Sequence, residues 1–123
     1  MAWRFGAAVA VLASFGALTQ PAVSADLEFY TGDALYAQCA AKPADPDYAV
    51  RHARCASYII GVSDAQQAGQ GAGAAPKVCL PETAGSPQLV TAVEAFLETH
   101  ADKRPLAAHD LVVEALTAQF PCK

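Results

Sequence analysis

Residues 54–67 read RCASYIIGVSDAQQ, and the fold turns on how this stretch is read. Cys55, Ile59 and Val62 recur at i, i+4 and i+7, with Ala56 and Ile60 beside them. That is the period of one helix face, and the stripe is broad enough for a central helix in a bundle. Gly61 stands in the middle of the pattern and Asp64 follows three residues later. Glycine inside a helix costs roughly 1 kcal/mol against alanine, so its presence asks for a reason. Ser57, Gly61 and Asp64 share one narrow row of small residues closed by a carboxylate. The row reads as a notch that receives either a passing segment of the same chain, bonded to Asp64, or a partner protein. Packing within the chain is the favoured reading.

Proline, glycine and aspartate clusters divide the rest of the chain into three further helical patterns. The first covers about 33–41, with Thr31 or Asp33 as cap and Leu35, Cys39 and Tyr36 facing inward. The prolines of Lys42-Pro43-Ala44-Asp45-Pro46 end it, because proline bars helix at and just before its own position. The central helix follows from about Asp47 to Ala68, and Gln66–Lys77 reads as a Gly/Ala loop. Val78-Cys79-Leu80-Pro81 is an extended anchor. Ser86 as cap and Pro87 as first helical residue open the next helix, with Leu89, Val93 and Phe96 inward and Val90 and Leu97 beside them. Pro105 opens the last, whose inner face is Leu111, Val112, Ala115, Leu116 and Gln119 or Phe120. No alternating strand pattern appears, so the class is all-α, a small four-helix bundle.

Residues 1–25 are set aside as a secretory signal peptide. Arg4 precedes an apolar run, Phe5–Leu18, and Val23-Ser24-Ala25 supplies small residues at a cleavage point after Ala25. The run is too short for a membrane span, which needs about 20 residues. The remaining domain, 26–123, holds seven of the eight Lys and Arg but all twelve Asp and Glu, a net charge of −5. It has no basic patch, which excludes nucleic acid and anionic membrane surfaces as expected partners.

All four cysteines, Cys39, Cys55, Cys79 and Cys122, lie in this domain. An even count in a small exported chain predicts two disulfides. The spacings of 16, 24 and 43 contain no C-x-x-C, so neither a thioredoxin-like site nor a zinc ribbon is indicated. Twenty-one alanines after residue 25 limit the area each helix can bury, so a core of this size needs staples. A Cys55–His52 nucleophile is conceivable, but a disulfide would consume the thiol. His100 and His109 lack metal-ligand spacing. The reading is therefore no catalytic residues, no metal and no cofactor.

The order of these motifs carries a resemblance. Cys39 is followed by C-x-x-Y-I-x-G-V-x-D over 55–64, C-L-P over 79–81, Q-L-V with an apolar helix, and A-L-x-x-x-F-P-C over 115–122. This resembles the Rap/Tai family of immunity proteins, which protect bacteria against amidase effectors of type VI secretion. The likeness covers nearly all of 26–123. It implies a small, helical, disulfide-bonded periplasmic protein, often a homodimer, that binds a peptidoglycan amidase and blocks its cleft. Composition alone fits equally a periplasmic structural or stress-protective protein, such as a small disulfide chaperone.

Four cysteines allow three pairings. Cys39–Cys55 and Cys79–Cys122 are favoured. The first pair flanks a short proline-rich turn between consecutive helices. The second joins the start of one helix of a hairpin to the end of the other.

Overall fold

The computed structural model describes residues 30–71, 73 and 77–123, so the expected signal peptide lies outside the described residues. Four helices make up the fold: α1 (Gly32–Cys39), α2 (Tyr48–Gly71), α3 (Ser86–Thr99) and α4 (Ala108–Gln119). No strand forms among the described residues. Extended pairing is limited to two antiparallel bridges, Thr31 with Ala107 and Val78 with Pro121.

Helix α1 is short, and its ends are completed by other parts of the chain. Thr31 caps it, its side-chain oxygen accepting from the Ala34 amide at 3.3 Å. The orphan amides of Gly32 and Asp33 donate to the carbonyls of Leu106 and Arg104, at 2.9 and 2.8 Å. At the other end Arg51 Nε donates to the Ala37 carbonyl at 3.1 Å, one of the last-turn acceptors that a helix cannot satisfy itself. Arg51 is held in place by Asp45 and Asp47, at 3.5 and 3.6 Å. Contacts between Ala37 and Arg51 and between the Tyr30 and Tyr58 rings, 4.9 Å apart, run α1 and α2 antiparallel.

The core is the expected one in most positions. Leu35, Cys39, Cys55, Ile59 and Val62 meet Leu89, Val90, Val93 and Leu97 from α3 and Leu111, Val112, Ala115 and Leu116 from α4. Val78 is buried with them and anchors the extended segment before α3. Both disulfides take the expected pairing, Cys39–Cys55 and Cys79–Cys122, each with Cα atoms 5.0 Å apart.

Four details differ from the expectation. Helix α2 runs on to Gly71, beyond Ala68, so half of the expected loop is helical; Gln66, Gln67 and Ala68 are good helix formers and carry it on. Helix α3 is capped at Gly85, not Ser86, and the Gln88 side chain accepts from the Gly85 amide. Helix α4 begins at Ala108 rather than Pro105, because residues 104–107 are occupied in closing the start of α1 and Ala107 is bridged to Thr31. Leu97, not Phe96, joins Val93 as a fully buried residue of α3; Phe96 is half-buried and stacks on His100 with centroids 4.1 Å apart.

Candidate functional site

Every cysteine is in a disulfide and none is free. Cys55 is also wholly buried, so the Cys55–His52 nucleophile considered from sequence has no thiol to work with. His52 stacks on Tyr48 at 5.3 Å. His100 Nδ1 is 2.8 Å from the Phe96 carbonyl, and His109 Nδ1 is 3.0 Å from its neighbour Asp110. Each histidine is thus engaged locally, on a different element. Among the described residues no three His, Cys, Asp or Glu side chains gather into a metal-sized group.

The row Ser57, Gly61 and Asp64 lies on the exposed face of α2. A methyl group built on Gly61 would meet no atom within 4 Å. Among the described residues, then, no segment passes over the glycine as the packing reading required. The buried polar residue of α2 is Ser63, whose hydroxyl donates back to the Ile59 carbonyl at 2.8 Å. Ser63 lies on the same face as Ile59, and its place on the apolar stripe was the available signal.

Two concavities flank the first half of α3. The larger, about 540 Å³, lies between residues 81–84, α3 and the end of α4, with Pro81, Ala84, Pro87, Thr91, Gln119 and Phe120 among its walls. The smaller, about 230 Å³, lies between α2 and α3 and includes His52, Ala56, Val90 and Glu94. Sequence reasoning missed both, because it read Pro81 as part of an extended anchor, Pro87 as a helix start and Phe120 as an inner-face position of the last helix, each within its own element. The larger arises only when α3 and α4 pack as a hairpin, and the smaller only when α2 lies against α3. Burial raises the Tyr58 phenol above its ordinary value, and nearby Tyr30 and Asp110 add to the effect.

These features define a class: a small helical protein with two disulfides and shaped surface concavities. The chain belongs to the Rap1a immunity proteins, whose family model matches residues 31–122. The match runs from the cap of α1 to the last cysteine, and so takes in all four helices and both disulfides. Comparison with curated proteins and with solved structures gave no match.

Proposed function

We propose that this chain is an exported, non-enzymatic immunity protein that acts in the periplasm, where it binds a peptidoglycan amidase effector of type VI secretion and occludes its cleft. The observation that carries the reading is the family match across the whole helical domain. Three features support it. The N-terminal 1–25 has the composition of a signal peptide cut after Ala25. Two formed disulfides suit an oxidising compartment. The engaged cysteines leave the protein without a thiol nucleophile.

With no cover over Gly61 among the described residues, the row Ser57, Gly61 and Asp64 is the proposed partner contact on α2. A glycine that costs helix stability and packs against none of the described residues gives a partner backbone room for close approach. Residues 66–77 carry neither an aromatic residue nor an arginine, the usual anchors of tight interfaces, so the binding surface is assigned to the helices. A homodimer is part of the proposal.

Co-purification of the tagged mature chain from its native envelope, followed by mass spectrometry, tests the reading. One stoichiometric amidase in the eluate is the expected result. A broad set of substoichiometric clients would favour the disulfide chaperone instead, and an eluate with no amidase counts against the immunity role.

A further inference from the structure

The two disulfides sit in opposite surroundings. Cys39 and Cys55 are 4% and 0% exposed and join α1 to α2 inside the core. Cys79 is exposed and Cys122 half-buried, and both lie outside the helices. Their bond ties the segment before α3 to the segment after α4, beside the Val78–Pro121 bridge and the 2.9 Å bond from the Cys79 amide to the Phe120 carbonyl. These two segments continue directly into walls of the larger groove: Pro81 and Ala84 follow Cys79, and Gln119 and Phe120 precede Cys122.

We infer that Cys79–Cys122 is a redox clasp: thiol reductants open it selectively, and its opening dissolves the larger groove while the helical core and Cys39–Cys55 persist. Thiol–disulfide exchange needs a thiolate to reach a sulfur, so access decides which bond is attacked first. The reductant is a dithiol, in the cell that of a thiol–disulfide oxidoreductase. Its thiolate attacks Cys79 Sγ, the disulfide breaks, and Cys122 leaves as a thiolate that takes up a proton. The second thiol, deprotonated, attacks the mixed disulfide and releases Cys79, which is protonated in turn. The chain gains two electrons and two protons, and the dithiol becomes a disulfide. Attack on Cys39 or Cys55 requires the core to open first, an event as rare as unfolding of that region. After the clasp opens, Val78 stays seated in the core, and the wall formed by Phe120 to Cys122 loses its covalent tie. The inference holds whether or not the partner is an amidase.

The test uses the oxidised mature chain and graded dithiothreitol at neutral pH, with acid quenching, thiol labelling and peptide mapping, and hydrogen exchange followed in parallel. Labelling of Cys79 and Cys122 is expected at least about tenfold faster than that of Cys39 and Cys55. The Cys79 amide should lose protection while amides of residues 55–63 keep theirs. Labelling of both pairs at one rate, or loss of protection in α2 in step with the first labelling, overturns the inference. Reduction of Cys79–Cys122 with the Cys79 amide still protected also overturns it, since the groove walls would then not depend on the bond.

Discussion

Gly32 and Gly61 are both helical glycines, and an added methyl group should have opposite consequences at the two. At Gly32 it would collide with the Leu111 side chain and stand 2.8 Å from the Arg104 carbonyl oxygen. Backbone cannot yield as a flexible side chain can, so Gly32→Ala should destabilise by about 1–3 kcal/mol. At Gly61 the methyl meets nothing, so Gly61→Ala should stabilise by about 1 kcal/mol, a rise of about 4–8 °C in melting temperature for a domain of this size. Thermal melts of the two variants check both signs. Tyr58 supplies a pH prediction. Its raised phenol pKa means that the folded state holds the proton more tightly than the unfolded chain does. The resulting stability is fully present below the unfolded value of 10.0 and is lost as pH rises through the higher folded value. Tyr58→Phe should therefore flatten the alkaline fall in the urea midpoint, and an unchanged fall would refute that assignment. At this scale the apolar stripes were legible but their centres were not. Phe96 and Leu97 both fit the period of α3, and only the packed neighbours decide that Leu97 is buried and Phe96 sits at the rim. Gly61 was legible as an anomaly, but whether anything covered it was not, because the answer lies in tertiary space.

Among the elements, the helices were legible wherever the chain supplied its own signals. The Thr31 cap, the prolines after α1 and the proline after α4 are local chemistry, and the structure uses each. The start of α4 was misread because Pro105 is a valid first helical residue in isolation. In the fold, residues 104–107 instead satisfy the first amides of α1, and no local pattern announces such a long-range task. The disulfide pairing was legible because both pairs follow from antiparallel neighbours. On the chain-entropy model, closing a loop of 16 residues contributes roughly 3 kcal/mol and closing one of 43 roughly 4 kcal/mol. Each is large beside a total of about 5–15 kcal/mol. Cys79→Ser combined with Cys122→Ser should lower the melting temperature sharply, and by more than any single substitution among residues 66–77. Calorimetry of the double variant beside a set of loop variants checks the ranking.

At the level of the whole molecule, four helices and two staples present an exposed row of small residues on α2 and two concavities beside α3. Family membership was legible in the order of the cysteines and the motifs around them, since they span the domain that the family model matches. The grooves were not legible, because their walls come from residues far apart in the chain. If the notch is a partner contact, Gly61→Leu should weaken partner binding without loss of fold, which separates a surface role from a structural one. The most direct test of the account is a peptidoglycan-hydrolysis titration, with the amidase captured from the native envelope and the purified mature chain added back. The account predicts that hydrolysis falls linearly and stops at one equivalent of the chain. Undiminished hydrolysis in excess chain, or a capture that yields no amidase at all, would contradict it.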